Sequence, residues 1–87
     1  MFDIVKKAID KKDVLGLLEM GAPNDEYDIE CRDIASKINK NNSVDEIAAI
    51  CSSVFTAWFY ADSRFSMGNF IDVAQEIKSE IDDYPEV

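Results

Sequence analysis

Histidine is absent from this sequence, and three glycines and two prolines are few for a chain of 87 residues. Without histidine there is no imidazole to act as a general base or to bind a metal ion. The scarcity of turn-forming residues argues against an all-β fold, which joins many short strands by tight turns. No hydrophobic run is long enough to span a bilayer, and the N-terminus lacks the pattern of a signal peptide. We therefore expect a cytoplasmic protein with no membrane partner.

Basic residues are also scarce in this chain. Nine lysines and arginines stand against eighteen aspartates and glutamates, which gives a formal net charge of −9. Positive and negative charges balance within residues 1–24, so the whole excess lies in residues 25–87. A negative field repels nucleic acids and anionic lipids and attracts cationic proteins. The charge thus predicts a basic protein as the partner and argues against binding of nucleic acid.

Hydrophobic residues recur at helical spacing along most of the chain, and no segment shows the alternation that is typical of a strand. This predicts a single domain over residues 1–87, an all-α, up-and-down-like bundle of four helices with a short first helix. We expect the first helix over about residues 2–12. An apolar connector follows, and the Gly-Ala-Pro sequence of residues 21–23 ends it.

Capping residues predict where the remaining helices begin. The second helix is expected to start at Asn24 or Asp25, either of which can accept hydrogen bonds from the first turn. Ser43 and Glu46 have the spacing of a capping box, which predicts the start of the third and most hydrophobic helix. Ser66 is the predicted cap of the fourth helix.

The two cysteines, Cys31 and Cys51, fall on the predicted core faces of the second and third helices. A thiol in apolar surroundings has a raised pKa and little nucleophilicity, so we interpret both cysteines as structural. Carboxylates alone leave a small hydrolase as an alternative, but no spacing sets two acids apart on an apolar face. We predict that the protein is not an enzyme and that it needs no metal or other cofactor.

A row of acidic residues on the predicted fourth helix is the main candidate for a partner-binding surface. Each like-charge neighbour pair destabilises a helix by about 0.2–0.5 kcal/mol, and acids near a helix C-terminus oppose the helix dipole. A row that weakens its own helix suggests a cationic partner, although a solvated face that only maintains solubility explains it equally well. The members of the row follow one another at about one turn of helix: Asp72, Glu76, Glu80 and Asp83.

Two further groups are candidates for partner contacts. Glu26 and Glu30 lie in an acidic run near the start of the second helix, where the helix dipole already explains the presence of acids. The aromatic residues near the end of the third helix, Trp58 among them, are predicted to lie mostly in the core, but Tyr60 does not fit the same stripe. Because tyrosine is enriched at interface hot spots, Tyr60 and Tyr84 are predicted to be exposed anchors beside the acidic row.

The connector and the start of the second helix contain a recognisable motif. Residues 15–30 have the sequence LGLLEMGAPNDEYDIE. This motif resembles the signature of the YugE-like family of small bacterial helical proteins, in which a leucine-rich turn leads through Gly-Ala-Pro into an Asp-Glu-Tyr-Asp run that opens a helix. The resemblance implies an all-α fold and, because the family is uncharacterised, no assigned activity. By motif it points to a chain reversal and helix cap with an inward tyrosine, formed by Gly21, Pro23, Asp25, Glu26, Tyr27 and Glu30.

By class and not by motif, small acidic helical proteins without catalytic residues resemble the immunity proteins that neutralise toxins delivered by neighbouring bacteria. Many such toxins are cationic nucleases, and an oppositely charged inhibitor binds them faster and covers their active site. We therefore predict an immunity or antitoxin-type protein that binds a basic toxin encoded nearby, as a monomer in a 1:1 complex. The alternative is a cytoplasmic YugE-like protein that acts as a homo-oligomer or an accessory subunit.

Overall fold

The structure of this chain is a computed structural model that describes residues 1–83. Within that range the chain forms four α-helices, two short 3-10 helices and no strand. The predicted all-α bundle is confirmed, and the first helix has the predicted bounds. Tyr84 and the rest of the predicted tail lie outside the described residues. The four helices are α1 (Phe2–Lys12), α2 (Asp28–Lys37), α3 (Val44–Phe59) and α4 (Ile71–Asp82).

Each helix packs against its neighbours in sequence, and α1 also packs against α4. The helices therefore form a closed ring around one core, as expected for an up-and-down-like bundle. Within the described residues α2 makes no contact with α4, and α1 makes none with α3. Surfaces on α2 and α4 consequently lie on different sides of the bundle.

Phe55 of α3 is at the centre of the core. Its side chain is fully buried, and its ring contacts aromatic residues from several parts of the chain. The ring centroids lie 5.4 Å from Phe70, 5.6 Å from Phe65, 5.8 Å from Phe59 and 6.1 Å from Tyr27. These separations are typical of favourable aromatic pairs, so one ring joins α3, the connector before α4 and the start of α2.

The start of α3 is the capping box that its sequence predicts. The Ser43 hydroxyl accepts a hydrogen bond from the Glu46 backbone N–H at 3.1 Å, and the Glu46 carboxylate accepts one from the Ser43 N–H at 2.8 Å. The two bonds satisfy backbone N–H groups that a helix start otherwise leaves unpaired.

The start of α2 differs from the prediction. The helix begins at Asp28, and the residues before it form turns in which the Glu26 N–H donates to the Pro23 carbonyl and the Asp28 N–H to the Asp25 carbonyl. Asn24 and Asp25 are therefore not helix caps. The physical reason is tertiary, because Tyr27 is fully buried beneath the connector and its position holds this stretch outside the helix.

The start of α4 also differs from the prediction. Ser66 precedes a 3-10 helix, Met67–Phe70, and its side chain makes no capping hydrogen bond. The α-helix itself begins at Ile71. Phe65 and Phe70 are both buried against Phe55, and the tighter 3-10 turns place these two rings in the same core.

A hydrogen-bond network between Asp13 and Tyr27 organises the connector. The Tyr27 hydroxyl donates to Asp13 Oδ1 at 2.7 Å and accepts from the Leu15 N–H at 3.0 Å. The Asp13 carboxylate also accepts from the N–H groups of Leu18 and Glu19. Partial burial raises the pKa of Asp13, but these hydrogen bonds outweigh it and hold the pKa below its usual value. Burial and then the bond to Asp13 raise the pKa of Tyr27 to about 12.

Candidate functional site

The acidic row of α4 faces lysines of α1. From Lys7 to Lys12 along α1, the paired acids on α4 run backwards from Glu80 to Asp72, so the two helices are antiparallel. The expectation that these acids are unpaired and repel one another is wrong, because the bundle places cations from a distant part of the chain opposite them. Three ion pairs with N···O distances of 2.9–3.3 Å join the helices, namely Lys7 with Glu80, Lys11 with Glu76 and Lys12 with Asp72.

The end of the row is arranged differently. Asp83 follows the last residue of α4, is exposed and makes no ion pair among the residues that the structure describes. Its neighbour Asp82 forms an ion pair with Lys78, four residues earlier on α4, with 3.5 Å between Lys78 Nζ and Asp82 Oδ1. A surface groove of about 390 Å³ lies between α1 and α4 beside these ion pairs. Because opposite charges on its two walls largely compensate each other, we assign no ligand to this groove.

Removal of the three α1 lysines is expected to restore the self-repulsion of the row. The combined substitutions Lys7→Gln, Lys11→Gln and Lys12→Gln should lower the free energy of unfolding by about 1–2 kcal/mol at low salt, because exposed ion pairs contribute roughly 0.2–1 kcal/mol each. The loss should shrink in 1 M salt, where the Debye length is about 3 Å. Urea unfolding at both salt concentrations measures the effect, with Lys40→Gln as the control. An equal loss at low and high salt would contradict an electrostatic origin.

A second acidic surface lacks such compensation. We call residues 13–31 the acidic segment, since this stretch contains six acidic residues and no lysine or arginine. Asp28 is paired with Lys6 at 2.7 Å, and Asp13 accepts the hydrogen bonds of the connector. The remaining four acids of the segment make no ion pair within residues 1–83. These acids are Glu19, Asp25, Glu26 and Glu30.

Glu30 is the buried member of the acidic segment. Its side chain is 4% exposed, and Oε1 has no hydrogen-bond partner. Burial raises the pKa of Glu30, its own backbone N–H lowers it in part, and the negative charges of Glu26 and Asp28 raise it further. A buried carboxylate with one oxygen left unpartnered is costly to ionise. A cation presented by another molecule would relieve this cost.

Replacement of Glu30 by glutamine is expected to stabilise the protein at neutral pH by about 1 kcal/mol, since a buried ionised carboxylate is costlier than the neutral amide that replaces it. The sign follows from the raised pKa. The folded state binds more protons than the unfolded state between the unfolded and folded pKa values of Glu30, so stability falls as pH rises through that window. Below the unfolded pKa, about 4.3, the difference from the wild type should vanish.

Urea unfolding at several pH values measures this effect. Glu19→Gln is the matched control, because it removes one negative charge from an exposed position of the same segment. Equal stabilisation by Glu30→Gln and Glu19→Gln would assign the gain to net charge and contradict a special role of burial.

The predicted aromatic anchor Tyr60 is exposed, with 85% of its surface accessible. Trp58 was expected in the core, but it is 51% exposed, and this expectation is wrong. Its ring N–H donates to Asp33 Oδ2 at 3.0 Å, which holds the indole on the surface between α2 and α3. The helices α2 and α4 are not neighbours in the ring, so Glu30 on α2 and Glu26 in the turn before it lie apart from the α4 row.

Sequence reasoning missed two features of this surface. The hydrogen bond between Asp33 and Trp58 joins residues 25 positions apart and has no local signal. The ion pairs between α1 and α4 could have been predicted from residue spacing, because Lys7 and Lys11 are four residues apart, as are Glu76 and Glu80. Equal spacing on two helices allows an ion-pair ladder once the helices are known to be antiparallel.

Both cysteines are fully buried, and burial raises the pKa of Cys31 and of Cys51 to about 12. The interpretation of both as buried structural residues is confirmed. Among residues 1–83, no group of three or more cysteine, aspartate and glutamate side chains is arranged to hold a metal ion. In the same part of the chain, no helix has the length and apolar character needed to cross a membrane.

Comparison of the chain with models of protein families found no match, and comparisons with curated proteins and with solved structures found none either.

Proposed function

We propose that this protein is an immunity or antitoxin-type inhibitor that binds a cationic protein toxin, such as a nuclease, in the cytoplasm. The observation that supports the proposal is the uncompensated charge of the acidic segment. Four of its carboxylates have no ion-pair partner within residues 1–83, whereas seven of the nine basic residues are engaged in ion pairs, six of them only with acids outside the acidic segment. A partner therefore meets negative charge that the protein does not neutralise itself.

The chemistry of the partner follows from this charge. A nuclease must present cations where it grips phosphate, and carboxylates of an inhibitor can occupy the same positions. Opposite fields accelerate the encounter, and a bound helical domain excludes the nucleic acid from the cleft. The contact surface that we propose is the acidic segment. The α4 row is a less favourable candidate, because α1 already supplies its cations.

Co-expression with the toxin encoded beside this chain tests the proposal. The protein should co-purify with the toxin as a 1:1 complex and should protect cells that produce it. Reversal of charge in the acidic segment, by Glu19→Lys, Asp25→Lys and Glu26→Lys together, should slow association at low salt by about ten- to hundredfold, because rim charges act mainly on the on-rate.

Asp72→Lys reverses one charge outside the acidic segment and should have little effect on association, whereas Glu26→Lys, the matched single reversal within the segment, should slow it. If Asp72→Lys slowed association as much as the triple variant, the surface would be the α4 row. If neither variant changed the association rate or its salt dependence, electrostatic inhibition would be ruled out.

The alternative function, self-association of a YugE-like protein, predicts an apolar face open to a second copy. α3 buries most of its apolar face in the bundle, and Trp58 is the large side chain of this helix that stays half exposed. Sedimentation that showed a homo-oligomer, with no toxin bound, would favour this alternative.

A further inference from the structure

A small aromatic pocket lies at the C-terminal end of α3. Its volume is about 210 Å³, and its walls include Trp58, Phe59, Tyr60, Asp62 and Arg64. Phe59 forms its apolar wall and stacks on the core ring of Phe55. The volume lies below the roughly 300–1,000 Å³ of sites for small organic ligands. It equals the volume of about seven water molecules in the liquid, which is room for one side chain of a partner.

Tyr60 stands in a backbone conformation that strains any residue with a side chain. Its φ is 89° and its ψ is 172°, a region that is populated almost only by glycine. The side chain is 85% exposed, so packing within the chain does not compensate this strain. Strained positions of this kind cluster at binding sites. An exposed tyrosine at a position where glycine fits better is thus a candidate for contact with another molecule.

The aromatic faces of the pocket, and not its net charge, are what it offers to a cation. The Asp33 carboxylate accepts the hydrogen bond of the Trp58 ring N–H and is also paired with Lys37 at 2.8 Å, so it orients the indole without adding uncompensated charge. The cation already present, Arg64, is held by Asp62 through two hydrogen bonds of 3.0 and 2.8 Å. Its charge is thereby compensated, and the faces of Trp58 and Tyr60 remain available for a cation–π contact.

The acidic segment borders this pocket. Leu15 lines the pocket and donates its N–H to the hydroxyl of Tyr27. Asp33 lies on α2, and Tyr27 is the residue directly before that helix. The Tyr27 hydroxyl accepts the Leu15 N–H and the Asp33 carboxylate accepts the Trp58 ring N–H, so the acidic segment and the start of α2 both contact the pocket walls.

We propose that the aromatic pocket binds the side chain of an arginine or lysine from the cationic partner, with Trp58 and Tyr60 as the anchoring rings. This inference rests on the proposed function, because it names the group of the toxin that the inhibitor grips. Tryptophan, tyrosine and arginine are the residue types most enriched at interface hot spots. The pocket supplies the tryptophan and the tyrosine, and the partner supplies the arginine.

Fluorescence of Trp58, the single tryptophan of the chain, tests the proposal directly. The probe is a short oligo-arginine peptide, and its control is the same peptide with citrulline in place of arginine, which has nearly the same shape without the charge. The arginine peptide should change the emission saturably, and the citrulline peptide should bind at least about tenfold more weakly. Tyr60→Gly should weaken binding of the arginine peptide about tenfold, whereas Met67→Ala, outside the pocket, should have no effect.

The thermal midpoint of Tyr60→Gly should equal or exceed that of the wild type, since glycine relieves the strain.

Peptide binding in calorimetry without a change in Trp58 emission would overturn the pocket, and so would equal binding of the citrulline peptide. An emission change that depends on protein concentration, together with a dimer in sedimentation, would assign the pocket to a second copy and overturn the proposal. Full affinity of the Tyr60→Gly variant for the toxin would overturn the pocket and leave the inhibitor function standing. Failure of the wild type to bind the toxin would instead overturn the inhibitor function.

Discussion

Replacement of Phe55 by alanine is expected to leave the protein with at most about 2 kcal/mol of stability at 25 °C. The ring is fully buried and contacts four other aromatic rings, so its removal creates a cavity at the junction of α2, α3 and the turns before α4. Truncation of a buried phenylalanine typically costs about 3–5 kcal/mol. A domain of this size has a stability of about 5 kcal/mol, so the loss removes most of it.

Circular dichroism at 222 nm and urea unfolding measure this outcome. Trp58→Ala is the control, because it removes a larger ring from a position that is half exposed. Its cost should stay below about 2 kcal/mol, which is the transfer free energy of a partly buried side chain. A Phe55→Ala variant that unfolded at nearly the wild-type urea concentration would show that the aromatic cluster is not the main source of stability.

Replacement of Tyr27 by phenylalanine is expected to lower the free energy of unfolding by about 1–3 kcal/mol, although only one oxygen atom is removed. The hydroxyl donates to Asp13 and accepts from the Leu15 N–H, and both groups would lose their partner inside a partly buried network. An unsatisfied buried polar group costs its full desolvation free energy, which is why the loss exceeds that of an exposed hydrogen bond.

Urea unfolding gives the size of this loss, and hydrogen exchange locates it. The amides of Leu15 and Leu18 should exchange faster in Tyr27→Phe, since the connector opens locally. Tyr60→Phe is the matched control, because the Tyr60 ring is 85% exposed and its hydroxyl should contribute nothing measurable. Unchanged exchange of the connector amides would contradict the role of the network.

The Asp13–Tyr27 network also connects fold and function. The connector that it holds begins the acidic segment and supplies Leu15 to the aromatic pocket. Tyr27 at the same time contacts the core ring of Phe55. We therefore expect Tyr27→Phe to weaken partner binding as well as stability, because the carboxylates and the pocket are presented by a connector that is no longer held in place.

The helices themselves were predictable from the sequence to a large extent. α1 has the predicted bounds and α3 begins where the capping box places it, since helical spacing and caps are local properties of the chain. The starts of α2 and α4 were predicted several residues too early. In both cases a buried aromatic ring, Tyr27 in one and Phe70 in the other, imposes a tighter turn than the local sequence favours.

The candidate site was less predictable. The sequence established the sign and the excess of charge, the absence of histidine and the helical fold, because these depend only on composition and spacing. The pairing of charges was decided by the packing of α1 against α4, which neutralised the acids that looked exposed and left those of the acidic segment without partners. The exposure of Trp58 and the conformation of Tyr60 likewise depend on where α3 ends against α2. Ion pairing and burial are set by groups that are distant along the chain and close in space, and no local pattern specifies such distances.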